Sequence, residues 1–300
     1  APEQIIVSCG AKHSLYNVFQ AICEEGDEVI IPSPYWVTYP EQVRLAGGKP
    51  VFLPTREEDG FRIDPDRLKR AVTGRTRALV VSSPANPAGN AYPAADLEFI
   101  ARLAVEKDFS LVSDEIYEKL VFDGFAAKSP ASLSREVRER TIVVNGVSKT
   151  YAMTGWRVGY LAAPAPVAKA ISNFQDHTTS NPTTIAQYAA LAALTGDQSC
   201  VESMRKAFEE RRNVMLEGFS RIRGIACVRP RGTFYTFPNV SALGIPSQEL
   251  ARRLLEEARI AVVPGIAFGW DSHLRMSFAD SQENLLKGLD RLQQFVSRLS

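Results

Sequence analysis

Short apolar runs recur along the first half of the chain, and stretches with helical spacing separate them. Residues 5–8, 28–31, 49–53, 78–81, 111–112, 141–144 and 158–162 read as strands. Between the first two, Leu15, Val18, Phe19 and Ile22 fall at i, i+3, i+4 and i+7, one face of a helix that Gly10 opens. Ser33-Pro34 is expected to start the next helix and Gly47-Gly48 to stop it. Asp64-Pro65 reads as a helix N-terminus with proline at its first position, and 93–107 as a further helix. Strands alternating with amphipathic helices build βαβ units around a mostly parallel sheet. A run as continuously apolar as 78–81 fits a strand covered on both faces, and 5–8 is read as buried too.

The pattern changes after about residue 165. Residues 166–221 read as largely helical, with breaks near Ser180-Asn181-Pro182 and Thr195-Gly196-Asp197. Beyond them, strand-like pieces at 233–237, 260–263 and 274–277 mix with two amphipathic helices. The last of these repeats Leu285, Leu289, Leu292, Val296 and Leu299 at core spacing. The expected architecture is α/β: a mostly parallel mixed sheet with flanking helices over residues 1–200, and a smaller α+β C-terminal domain over 201–300.

Composition removes several classes of function. Lys plus Arg is 35 and Asp plus Glu 34, a net charge of +1, which argues against a nucleic-acid partner. No apolar stretch approaches the ~18 residues of a membrane span. Four cysteines (Cys9, Cys23, Cys200, Cys227) and three histidines (His13, His177, His273) lie too far apart for a metal-ligand spacing, so no metal is expected. The thiols read as reduced and partly buried, which with the lack of a signal-peptide pattern gives a cytoplasmic expectation.

In a parallel sheet, ligands sit beyond the carboxyl ends of the strands. The residues found there are Gly10-Ala11-Lys12, Pro34-Tyr35-Trp36, Asn86-Pro87, Asp114 with Tyr117, and Ser148-Lys149. Each has an ordinary alternative. Asp114 can cap a helix while Tyr117 fills the core, and Lys149 can be a solvated surface lysine. Gly10 can be a tight turn and Trp36 core filling, while Arg157 and Arg275 can pair with acidic neighbours. Each also has a chemical reading. Lys149 beside Ser148 suits a Schiff-base nucleophile. Asp114 and Tyr117, three apart, can meet one ligand. Arg157 can fork a phosphate, the helix start at Gly10 can bind one, and Arg275 can grip a carboxylate. Taken together they describe one ligand, an aromatic, phosphorylated aldehyde.

At these residues the chain resembles the class I/II aminotransferases, fold type I of the pyridoxal-phosphate enzymes. Ser148-Lys149, followed by Gly155, Arg157 and Gly159, is similar to the family's SKxxxxxGxRxG signature. Ser33-Pro34-Tyr35-Trp36, Pro84 to Gly89, Ser113 to Tyr117 and Val263-Pro264-Gly265 match in the same order, although Ala88 stands where the family usually has Thr. The resemblance implies pyridoxal 5'-phosphate as cofactor, amino-acid and 2-oxo-acid substrates, and a homodimer. It implies that Lys149 forms the imine and moves the Cα proton. Asp114 would pair with the pyridine nitrogen, Asn86 and Tyr117 would donate to the ring oxygen, and Trp36 would stack on the ring. The Gly10-Ala11-Lys12 backbone, Ser148 and Arg157 would hold the phosphate. Arg275 would fork the substrate carboxylate, with Trp36 and Asn86 beside it. The aspartate branch is the nearest likeness, through Tyr35-Trp36 and 154–157, with aromatic, alanine and prephenate substrates also open. A carbon–sulfur β-lyase on the same scaffold and a non-catalytic ligand-sensing domain of a transcription regulator are the alternatives. Family members carry a stretch ahead of the strand that begins here at Ile5, so a chain with this start is expected to bind cofactor poorly and turn over slowly or not at all.

Overall fold

The structure is a computed structural model and describes residues 1–299. Strands β1 (Ile5–Ser8), β2 (Glu28–Ser33), β3 (Lys49–Pro54), β4 (Thr76–Ser82), β5 (Ser110–Asp114), β6 (Thr141–Gly146) and β7 (Gly159–Ala162) form one sheet. Its order is β1-β7-β6-β5-β4-β2-β3. Helices α1 (Ala11–Ile22), α2 (Thr38–Leu45), α3 (Pro65–Ala71), α4 (Ala94–Lys107), α5 (Arg135–Arg138) and α6 (Val147–Thr150) fall between the strands, and α7 (Ala165–Asp176), α8 (Thr184–Thr195) and α9 (Ser199–Ser220) follow them. The sheet is mixed and mostly parallel, as expected. β7 runs antiparallel to β1 and β6, and the other pairs are parallel. The carboxyl ends of β1, β2, β4, β5 and β6 and the amino end of β7 therefore share one edge.

Both faces of the central strands are covered. Ala78 and Val80 pack with Leu15, Val18 and Phe19 of α1, whereas Leu79 and Val81 pack with Leu68 of α3 and Leu97 and Ile100 of α4. That alternation is why the sequence there is continuously apolar. The first strand departs from this pattern. β1 is an edge strand with Ile5 46% exposed, because a strand at the end of a sheet has a neighbour on one side only. Ser33-Pro34 does not start a helix either. The residue before a proline is disfavoured in helical geometry, so β2 continues through Ser33, whose carbonyl accepts from both the amide and the hydroxyl of Thr55. α2 begins only at Thr38.

The C-terminal part holds a three-stranded antiparallel sheet: β8 (Tyr235–Thr236), β10 (Leu274–Ser277) and β9 (Val263–Pro264), in the order β8-β10-β9. The pieces expected at 233–237 and 260–263 shrink to two-residue strands, the second displaced toward Pro264. α10 (Ser247–Ala258) and α11 (Gln282–Ser297) pack with α9 around Phe208, Met215, Leu254, Leu289 and Phe295. Ile116, Tyr117, Leu120 and Phe122, which follow β5, enter the same core. The segment after Asp114 thus joins the large sheet to the C-terminal core. The four cysteines are free, although Cys200 is exposed rather than partly buried. Among the described residues no helix is long and apolar enough to cross a membrane, and no group of acidic, His and Cys side chains could hold a metal ion.

Candidate active site

The shared strand edge opens into a cavity of about 410 Å³. Ala11, Lys12, Trp36, Asn86, Asp114, Tyr117, Ser148, Lys149, Arg157 and Arg275 all line it. Gly10 stands just behind, where a Cβ would come within 2.3 Å of Arg157 Nη2. Its φ of +91° also belongs to glycine. The topology explains the gathering. β4, β5 and β6 are adjacent and parallel, so Asn86, Asp114 and Lys149 follow them at neighbouring carboxyl ends. β7 runs the other way, so it delivers Arg157 from its amino end.

Asp114 is buried at the end of β5. Its Oδ2 accepts from the Tyr39 hydroxyl at 2.6 Å and its Oδ1 from the Ile116 amide at 3.2 Å. The capping alternative therefore holds in part, but a turn follows Asp114 and no helix. Burial pushes this carboxyl up, while the Tyr39 and Ile116 hydrogen bonds and the Lys149 charge hold it down. Lys149 lies on α6, with Nζ 5.3 Å from the Phe234 ring centroid and 5.9 Å from that of Tyr117. Burial lowers its basicity first, the Arg157 and Arg275 charges lower it further, and Asp114 opposes them. The buried Tyr117 phenol is raised well above its ordinary range by burial and then by the neighbouring Tyr235 phenol.

One end of the cavity is built for an anion. α1 starts at Ala11 with no side-chain cap and no acidic residue in its first turn, so its leading amides are open to a ligand. Arg157 bonds only main-chain carbonyls, Thr154 at 2.7 Å and Cys9 at 3.4 Å. The Lys12 ammonium sits 5.1 Å from the Trp36 ring centroid. At the other end, Arg275 Nη1 donates to Asn86 Oδ1 at 3.1 Å. The Asn86 loop is pinned to the C-terminal part, where the Arg231 and Gly232 amides donate to the Gly89 carbonyl.

Sequence reasoning missed Tyr39, Ser82, Thr154 and Tyr235, which also line the cavity. Ser82 is visible in retrospect as the last residue of β4, opposite Asp114. Tyr39 is the second residue of α2, a helix start that the sequence placed earlier, and Tyr235 lies on a strand too short to show a period.

The family model for aminotransferase class I and II matches residues 1–292. The chain belongs to the class I and II aminotransferases. It is 47% identical to the aspartate aminotransferase of Geobacillus stearothermophilus, over 98% of this chain and 76% of that protein. It is 49% identical to the aspartate/prephenate aminotransferase of Thermus thermophilus, over 99% of this chain and 76% of that protein. The crystal structure of the Rhizobium meliloti aspartate aminotransferase superimposes with a TM-score of 0.97 at 38% identity, covering 100% of this chain and 78% of that one.

Pyridoxal phosphate is the family's cofactor, and this aminotransferase presents a site that suits it. Four cations, Lys12, Lys149, Arg157 and Arg275, face the cavity against one carboxylate, Asp114. So basic a lining favours an anionic ligand. A phosphate and a substrate carboxylate supply that charge. The buried Asp114 in turn suits a protonated ring nitrogen. The β-lyase and regulator alternatives are not favoured, since the relatives named above are transaminases.

Proposed function

We propose that this aminotransferase exchanges the amino group of L-aspartate with 2-oxoglutarate, using Lys149 as nucleophile and proton carrier. The observation that carries the reading is Lys149, its basicity lowered first by burial and then by Arg157 and Arg275, in a cavity where Lys12, Arg157 and Arg275 face the single carboxylate of Asp114. An unprotonated amine is a nucleophile and a base, and an ammonium is neither. When bound, pyridoxal phosphate supplies an aldehyde and an electron-accepting ring.

The chain's own residues do the rest. Asp114, ionised, holds a proton on the ring nitrogen. Tyr117 donates to the ring oxygen. Asn86 donates there as well through Nδ2, because its Oδ1 is committed to Arg275. Trp36 covers one ring face. The open amides of Ala11 and Lys12, with Ser148 and Arg157, grip the phosphate; the Gly10 amide does not join them, because it donates to the Ser8 carbonyl at 2.7 Å. Arg275 takes the substrate carboxylate as a planar fork, beside Trp36 and Asn86. With the cofactor bound, Lys149 would take the proton from Cα and deliver it to the cofactor carbon C4′, on the far side of the shared nitrogen. The cofactor-holding part extends to about residue 200 and the smaller part follows it.

The reading includes a homodimer. α8 turns its small Ala186 and Ala190 inward and leaves Ile185, Tyr188, Leu191 and Leu194 exposed in one row, a face that a second copy would cover. Sedimentation velocity tests this part.

The catalytic reading is tested by adding pyridoxal phosphate and following the visible absorbance band. The band forms with the wild-type chain and is absent in Lys149→Ala. With L-aspartate and 2-oxoglutarate, the products are oxaloacetate and glutamate. Release of pyruvate and ammonia from a cysteine conjugate, with no glutamate formed, would replace this reading with the lyase.

A further inference from the structure

A guanidinium that must grip a carboxylate from two points needs a fixed plane as well as a position. Arg275 enters the cavity from β10 on a long side chain with many rotamers. Its Cζ lies 4.4 Å from the centroid of the Tyr235 ring and 5.0 Å from that of Phe268. Phe268 is fully buried. Tyr235 is itself held on two sides, by Phe234 with centroids 4.7 Å apart and by Tyr117 at 6.4 Å, edge to face. The register of the small sheet sets this up. Tyr235 stands opposite Ser277, so Arg275, two residues earlier on the same face, is its diagonal neighbour.

We propose that Tyr235 is a positioning residue for substrate binding: its ring face fixes the plane in which Arg275 grips a carboxylate. This rests on the reading of Arg275 as the carboxylate fork. An arginine packed against two rings has less rotamer freedom left to lose when the carboxylate arrives. The ring also attracts the cation without offering an oxygen that would compete for its N–H donors. Asn86, touching Nη1, steadies one edge of the fork, and Tyr235 sets the tilt of the whole. The part that matters is therefore the ring, with the hydroxyl dispensable for this role.

The test uses protein loaded with pyridoxal phosphate and succinate, a dicarboxylate that cannot react, with binding measured by calorimetry. Arg275→Gln is expected to weaken succinate by about a hundredfold, the scale of a lost charge pair. Tyr235→Leu is expected to weaken it by about tenfold, and Tyr235→Phe to restore it to within about twofold. In all three the visible cofactor band should form at the wild-type cofactor concentration. The proposal fails if Tyr235→Leu binds succinate like wild type while Arg275→Gln does not, and the reading of Arg275 then survives. It fails equally if Tyr235→Phe is as weak as Tyr235→Leu, which moves the role to the hydroxyl. A parallel loss of cofactor affinity in Tyr235→Leu makes the residue merely structural. Unchanged binding in Arg275→Gln removes the fork itself, and the proposal with it.

Discussion

The Tyr39 hydroxyl donates a 2.6 Å hydrogen bond to Asp114 Oδ2, both side chains being buried. Burial favours the neutral acid at Asp114, and this donor favours the carboxylate. The chemistry requires the carboxylate, so Tyr39 helps keep it. Tyr39→Phe retains the ring and removes the donor. Asp114 then protonates at higher pH than in the wild type. The loss of pyridoxal phosphate affinity on acidification should begin correspondingly higher, with affinity about tenfold weaker at neutral pH, the scale of a charge-assisted hydrogen bond. An absorbance titration at a series of pH values checks this. Superimposable acid limbs would show that Tyr39 does not tune Asp114.

Lys149 is held below its ordinary basicity by burial first, then by Arg157 and Arg275. Removing a neighbouring positive charge makes the ammonium easier to form, so the unprotonated amine appears only at higher pH. Arg157→Gln should shift the pH dependence of aldehyde capture upward. Phosphate-free pyridoxal is the probe to use, because the lost phosphate grip then does not enter. An unchanged or lowered profile would show that the Arg157 charge does not depress Lys149.

Gly159 is the close-approach point between β7 and the start of α1. A Cβ there would lie 2.2 Å from the Ala11 nitrogen and 2.4 Å from the Gly10 carbonyl carbon, both main-chain atoms that cannot rotate away. Gly159→Ala must push the helix start off the anion-binding position. Pyridoxal phosphate should bind more than about tenfold weaker, while pyridoxal changes far less. Overpacking of this kind costs about 1–3 kcal/mol of stability. Comparing the two aldehydes separates the phosphate effect from a general loss of fold.

Asp114 and Lys149 were legible because they stand at carboxyl ends of strands that the chain order of short apolar runs marks, and Arg157 because it stands just ahead of the run of β7. Asp114 and Lys149 follow runs that are continuously apolar because helices cover both faces of the sheet. What stayed hidden depends on contacts between distant segments. Tyr39 meets Asp114 across 75 residues. Tyr235 belongs to a two-residue strand whose place is fixed by pairing with β10 rather than by any local period. Edge position is equally non-local: the run at 5–8 looks as apolar as the buried strands, and only the strand order exposes Ile5.

Arg212 carries no residual exposure, and its Nη1 and Nη2 meet Asp123 at 2.7 and 2.8 Å. Arg229 joins from the other side, with both its contacts to Asp123 at 3.1 Å. These hydrogen bonds hold the Asp123 carboxyl well below the usual carboxylate range. A group whose acidity is strengthened by folding adds stability above its unfolded pKa, near 4, and loses that contribution as pH falls toward the folded value. Asp123→Asn leaves the buried Arg212 with only the longer Glu209 contact, 3.8 Å from Nη2, as counter-charge. The expected loss at pH 7 is about 2–3 kcal/mol, less than for a fully enclosed pair because Asp123 is 43% exposed and water can partly replace it. Urea unfolding of both proteins at pH 7 and again below pH 4 checks the sign. The gap between them should narrow in acid, where the wild type begins to lose the same charge. An equal gap at both pH values would place the cost in packing around Arg212 rather than in the ion pair.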